Sequence, residues 1–211
     1  MKKGLLSAFT IFLCFSAFAQ HEAGNVQLRV GALGSLQFIE KETKASWGTT
    51  VETDRKLTGA VPIKILYGLG NRLSMGLIYT FGNYKVDSLE THNREGRINI
   101  TGVSAEIYLV NYESYNLYLN AQYKFSQLRL YKENSTTVIQ YRYNGFAPAF
   151  YLGSNIMLTE FLGFNMQLGY DLRNLKLKAW HIDDTKQNLS DISDNILSEG
   201  INIGIGLCIM F

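Results

Sequence analysis

Proline is nearly missing from this chain. Only Pro62 and Pro148 occur among 211 residues. Cysteine is as scarce, with Cys14 and Cys208 alone, and there are three histidines. Two thiols, one of them inside an N-terminal leader, cannot build a disulfide framework or a Cys-rich metal site. Charge of one sign is also lacking: Lys plus Arg number 20 and Asp plus Glu 18. Cleavage after Ala19 removes Lys2 and Lys3 and no acid, so the mature chain is expected to be formally neutral. That leaves no basic excess for a nucleic-acid partner. Beyond the leader there is no uninterrupted apolar run of the length that a membrane helix needs, about 20 residues.

The leader itself reads clearly. A basic Met1-Lys2-Lys3 precedes a short apolar stretch, Leu5 to Phe18, and Ala17-Phe18-Ala19 is a small-x-small cleavage pattern. Residues 1–19 are therefore expected to be a signal peptide and residues 20–211 one domain. Leu13 before Cys14 disfavours a lipoprotein signal, which takes a small residue there.

What the chain has in quantity is alternation. Its end, Ile201-Asn202-Ile203-Gly204-Ile205-Gly206-Leu207-Cys208-Ile209-Met210-Phe211, places a large apolar residue at every odd position. A period of two is a strand with two unlike faces. Seven further segments repeat it, with apolar rows at Val26–Phe38, Val61–Tyr67, Leu73–Phe81, Val103–Leu109, Leu117–Phe125, Phe146–Ile156 and Phe164–Leu172. Each is about the ten residues that a tilted strand needs to cross a bilayer. The 13 Tyr, 12 Phe and 19 Gly fit strands better than helices.

The connections alternate between short (Gly68–Arg72, Asn111–Ser114, Thr159–Leu162) and long (Glu40–Leu57, Val86–Arg97, Ser126–Asn144, Asn174–Ser198). That rhythm predicts an all-β, eight-stranded antiparallel up-and-down transmembrane barrel, with both ends on the short-turn side. Strand direction then sorts the rings into two girdles. Tyr79, Phe81, Tyr123, Phe125, Phe146, Phe150 and Tyr170 fall at the outer interface, and Tyr67, Tyr115, Phe164 and Phe211 at the inner one. Alternation continues through Leu128, Leu130, Ile139, Tyr141 and Tyr143 with changed apolar parity. This predicts a protruding hairpin, with a bulge between Phe125 and Leu128 and another near Gly145.

These features together resemble the small OmpA/OmpX-type barrels of the porin superfamily, over the whole mature chain. The resemblance implies the bacterial outer membrane, extracellular loops, periplasmic termini, and lipid and lipopolysaccharide as surroundings. It also implies a terminal strand that the barrel-assembly machinery reads through Ile205, Leu207 and Phe211. A monomer without cofactor is expected, and an extracellular surface ligand. Eight strands enclose a lumen that side chains fill. Its polar residues predict two ion clusters, Arg29 with Lys64 and Glu106 below, and Lys124 with Asp171 and Arg173 above.

Candidate chemistry is thin. His181, Asp183, Asp184 and Ser190 can be written as a catalytic set, but no spacing enforces it. Asp183, Asp184, Asp191, Asp194 and Glu199 lack the order of a calcium loop and read as a solvated loop. Both prolines fall in strands, where each removes a ladder hydrogen bond. The expected function is non-enzymatic, in envelope integrity or surface interaction. The alternatives are a lipid A-modifying enzyme and a narrow gated pore.

Overall fold

A computed structural model describes residues 23–46, 48–85, 95–134, 137–183, 185–187 and 192–211. The proposed signal peptide and His21, His92, Asp184, Ser190 and Asp191 lie outside the described residues. Strands run β1 Val26–Ala45, β2 Gly48–Gly70, β3 Leu73–Lys85, β4 Glu95–Asn111, β5 Tyr115–Asn134, β6 Thr137–Phe146, β7 Ala149–Met157, β8 Leu162–Ile182, β9 Thr185–Lys186 and β10 Ile192–Met210. All pairings are antiparallel, and β10 pairs with β8 on one side and returns to β1 on the other to close the ring. Strands β6 and β7 are the two halves of one stave, since both pair with β5 on one side and β8 on the other. The ring therefore has eight staves, and β9 is a short flap on β8.

The start of β1 and Phe211 meet at the short-turn end of the barrel. Val26 N donates to Phe211 O (3.1 Å) and Phe211 N to Val26 O (2.8 Å). The closing strand thus uses its last residue, which leaves no unpaired edge there.

Staves β1, β2 and β8 hold 20, 23 and 21 residues. A tilted strand crosses the hydrocarbon in about 9–11 residues. The barrel wall is about twice as long as a bilayer requires, and the extra length lies at the end away from the termini. Three of the expected long loops are accordingly strand for most of their length. Residues 36–45 and 48–57 pair as a hairpin, residues 126–134 and 137–145 as another, and 174–182 with 192–198 belong to β8 and β10. The outward apolar row ends below these segments, so alternation on that face does not mark them as strand.

Along β5 the outward side chains are Leu117, Leu119, Ala121, Tyr123 and Phe125, then Gln127 and Arg129. The inward ones are Asn116, Tyr118, Asn120, Gln122, Lys124 and Ser126, then Leu128 and Leu130. Strand β8 does the same: Tyr170 and Leu172 outward give way to Asn174 and Lys176, while Asp171 and Arg173 inward give way to Leu175. The inward residues of the upper half form one apolar cluster of Ile98, Ile100, Leu128, Leu130, Tyr143, Leu175 and Ile196. Below, the barrel is apolar outside and polar inside; above, it is the reverse.

The two expected bulges are absent. Strand β5 pairs β7 and β6 in one unbroken register, from Tyr115↔Ile156 to Asn134↔Thr137. The single shift nearby lies higher, between Arg142 and Tyr143 against β8. Parity in the sequence changes because the apolar residues pass from the outer face to the inner one at constant register, not because the backbone slips. The apolar face must turn inward once water bathes the outer one.

Candidate functional site

The lower lumen is built around one carboxylate. Register sets Arg29 on β1 opposite Lys64 on β2, and both side chains reach Glu106 of β4 inside the lumen. Arg29 grips Glu106 with two nitrogens, Nη1 to Oε1 at 2.8 Å and Nη2 to Oε2 at 2.8 Å. Lys64 Nζ reaches Oε1 at 3.2 Å, Asn120 Nδ2 donates to Oε1 at 3.1 Å, and the Tyr108 hydroxyl donates to Oε2 at 3.2 Å. Arg29 also donates to Gln27 Oε1 (2.7 Å), and its guanidinium lies 4.6 Å from the centre of the Tyr118 ring. Glu106 has no exposure, Arg29 and Lys64 almost none. Buried charge is tolerable only with this degree of pairing.

Beneath the cluster, Tyr118 accepts from Asn165 Nδ2 (2.7 Å), Asn165 also donates to Asn155, and Asn155 donates to Asn116. Tyr118 needs a missing side chain opposite: a Cβ on Gly153 would stand 2.3 Å from its ring carbon Cζ. In β10, Gly204 likewise leaves room for a side chain, whereas Gly206 allows close approach of the β1 backbone. A Cβ on Gly204 would meet Gln167, and one on Gly206 would meet the backbone of Val30 and Gly31. Cys208 is buried in the lumen with them.

The upper set is arranged differently. Arg173 Nε and Nη2 hold Asp171 Oδ2 at 2.9 and 2.8 Å, and Gln37 Nε2 donates to Oδ1 at 3.0 Å. Lys124 stands apart, its Nζ 5.7 Å from the centre of the Tyr151 ring. All three line a cavity of about 20 Å³, together with Gln122 and Gln167, whose buried amide oxygens have no hydrogen-bond partner. That is room for about one water molecule, and the apolar cluster closes it from above through Ile98 and Ile100.

The remaining candidates do not assemble. Asp183 Oδ1 accepts from the backbone N of Val138 (2.8 Å), so it pins the hairpin rather than orienting His181. Asp194 is buried inside the wall, with Tyr143 OH at 2.8 Å and Lys41 Nζ at 3.2 Å. Glu199 is on the opposite face and accepts from Tyr170 OH at 2.8 Å. The expected solvated acidic loop is thus, at these two positions, strand with one acid inside and one outside. Among the described residues no three His, Cys, Asp or Glu side chains are grouped as a metal would need.

Pro62 marks the one interruption of the β1–β2 ladder, which skips from Val30↔Ile63 to Leu33↔Ala60. Gly68 N donates to Asn25 O, and this phases the ladder so that the backbone polar groups of Gly31 and Pro62 are turned toward each other. Proline has no N–H to give. Outside the interruption the wall has a hollow of about 790 Å³ over Ala32, Gly34, Gly59 and Val61. Pro148, by contrast, is bridged: Leu172 N donates to its carbonyl (3.0 Å) and Ala147 N to Lys124 O (2.8 Å). Pro62→Val restores the missing donor and is expected to add about 1 kcal/mol, read as a higher urea midpoint of the barrel in lipid vesicles.

The girdle residues Tyr67, Tyr79, Phe81, Tyr123, Phe150, Phe164 and Tyr170 are exposed on the outer wall, with Phe125 half-buried among them. Ile205, Leu207 and Phe211 are likewise exposed on the outer face of the closing end.

Among solved structures, the chain is similar to the outer-membrane protein OprG of Pseudomonas aeruginosa. Identity is 15%, the match covers 92% of this chain and 99% of that one, and the TM-score is 0.64. The fold is that of the small outer-membrane β-barrels. Looser likenesses include Neisserial surface protein A (13% identity, 82% and 96% covered, TM-score 0.43) and Ail of Yersinia pestis (14%, 90% and 99%, 0.40). No protein-family model matches the chain, and no curated protein matches it in sequence. The eight-stranded barrel seen here therefore shares architecture, rather than sequence, with its structural neighbours.

Proposed function

We propose that this chain is a non-enzymatic integral outer-membrane barrel whose extracellular half is a rigid interaction surface. The observation that carries the reading is the inversion of faces. Above the apolar belt the wall continues as paired strands with polar residues outward, packed on an apolar core. Such a wall is preorganised, so a partner does not have to order it on binding. The lumen beneath is filled by Glu106, Tyr108, Tyr118 and Asn116, each at most 1% exposed. That packing supports an anchor over a pore. The termini and the three short turns share one end, which the reading places in the periplasm, with the tall β1–β2, β5–β6 and β8–β10 walls outside. The outward Ile205, Leu207 and Phe211 are the proposed assembly signal.

The β5–β6 hairpin is the part to test. Its base, Leu128 to Tyr143, contributes to the apolar cluster, so the cut belongs above it. Replacing residues 132–139 with a two-residue Asn-Gly turn is expected to leave a folded barrel and to abolish surface attachment or raise the detergent sensitivity of the cells. Unchanged attachment and unchanged envelope integrity would overturn the reading.

A further inference from the structure

The outer wall is not charged evenly around its circumference. Register sets Arg97 of β4 directly opposite Arg129 of β5, and Arg129 directly opposite Arg142 of β6. On the next stave, Lys178 is the extra residue where β8 shifts register against Arg142, and Lys176 lies two positions below it. All five side chains are exposed, and none has an acidic partner among the described residues. Arg142 donates to Gln140 Oε1 (3.3 Å), a neutral group. Adjacent strands are about 4.8 Å apart, and like charges set directly opposite each other destabilise a sheet. The opposite flank differs: Glu40, Glu52, Asp54 and Glu199 are exposed there, and Arg55 stacks over Phe38.

Height along the wall indicates which anion would neutralise this row. On β5 the outward order is Tyr123, Phe125, Gln127, Arg129; on β6, read upward, it is Phe146, Asn144, Arg142. Tyr123 and Phe146 stack with ring centres 5.4 Å apart, directly beneath the amides. The amide row is continuous, because Asn99 pairs with Gln127 and Gln127 with Asn144. Arg129 lies four residues beyond Phe125, roughly 13 Å along the strand and roughly 10 Å along the membrane normal at the usual barrel tilt. The sequence upward is apolar ring, hydrogen-bonding amide, cation. This is the order of acyl chain, sugar hydroxyl and phosphate in a phosphorylated glycolipid lying against the wall.

We infer that the β4–β5–β6–β8 flank binds the phosphate groups of one phosphorylated glycolipid of the outer leaflet, the lipid A class. Guanidinium groups suit phosphate because they are planar and can donate two bonds at once. The inference needs the membrane placement above but not the interaction role of the hairpin.

Native mass spectrometry of the full mature chain in detergent tests it, with bisphosphorylated lipid A, enzymatically dephosphorylated lipid A, phosphatidylglycerol and inorganic phosphate as probes. The expected result is one retained lipid A per barrel, with at least tenfold weaker binding of dephosphorylated lipid A and of phosphatidylglycerol. R97Q/R129Q/R142Q should weaken lipid A binding at least tenfold, and K44Q/R55Q on the other flank should leave it unchanged. A heat-dependent gel shift equal to that of the parent protein shows that each variant is folded. If the triple variant fails that check, R129Q alone should still weaken binding severalfold. Equal binding of dephosphorylated lipid A, full competition by equimolar inorganic phosphate, or undiminished binding by the arginine variants would each overturn the inference.

Discussion

Glu106→Gln is expected to lower the unfolding free energy of the barrel by about 3–5 kcal/mol, because it leaves two buried cations without their anion. The magnitude follows from the number of groups that converge on one carboxylate. Arg29 binds both oxygens at 2.8 Å, Lys64 reaches one at 3.2 Å, and Asn120 and Tyr108 complete the shell. Glutamine keeps the shape but loses the charge, and its amide nitrogen turns a donor toward groups that are themselves donors. Equilibrium unfolding in lipid vesicles reads the loss. A companion variant separates electrostatics from packing. R29M/K64M/E106L removes all three charges at similar volume and should recover most of the loss, since apolar replacement of a buried ion set is often neutral or stabilising. If E106Q costs under about 1 kcal/mol, in the range of an exposed ion pair, the cluster is not the electrostatic centre described here.

The second large effect concerns the inversion of faces. Leu128→Ala should destabilise the barrel by about 2–5 kcal/mol, the usual cost of truncating a buried leucine. Leu128 is 1% exposed among Ile98, Ile100, Leu130, Tyr143, Leu175 and Ile196. Its neighbour Gln127 points outward, and Gln127→Ala should stay within about 0.5 kcal/mol. The outer face gives the matching contrast. Leu119→Arg, in the middle of the apolar belt, should cost about 2–4 kcal/mol, whereas Arg129, ten residues higher on the same face, is charged already. Unfolding free energies for these variants in one lipid would place the lipid boundary on β5 between positions 119 and 129. A flat profile of costs along the outward positions would contradict the boundary.

How much of this was legible beforehand depends on the residue. The apolar rows from Val26 to Phe211 carry the number of staves, because a strand between lipid and lumen must alternate with period two. The short turns and the closing strand follow from the same pattern, and they stand where expected in β2–β3, β4–β5 and β7–β8. Gln27, Arg29, Lys64, Glu106, Lys124, Asp171 and Arg173 sit opposite those rows and could be assigned to the lumen by parity alone.

The upper barrel was harder to read. Arg97-Ile98-Asn99-Ile100 and Gln127-Leu128-Arg129-Leu130 alternate as cleanly as the spans below, but with the apolar residues on the other parity. A change of parity has two causes, a bulge or a change of surrounding medium, and one dimension cannot separate them. Only the unbroken β5 register distinguishes them, since it requires the paired backbone of a second strand.

The same limit explains the ions and the arginine row. Local alternation determined which side of the wall each side chain occupies, because that depends on the residue's own strand. Which groups meet depends on stagger between strands distant in sequence. Arg29 and Glu106 are 77 residues apart and bond at 2.8 Å, while Lys124 and Asp171, equally plausible by depth, do not pair directly. Arg97, Arg129 and Arg142 likewise line up only because two registers place them in one cross-strand row. The sequence by itself determined the barrel, its lipid face and the polarity of its interior. The tertiary structure alone decided the partners, the height of the wall and the one-sided charge, because those arise from how staves are offset against each other.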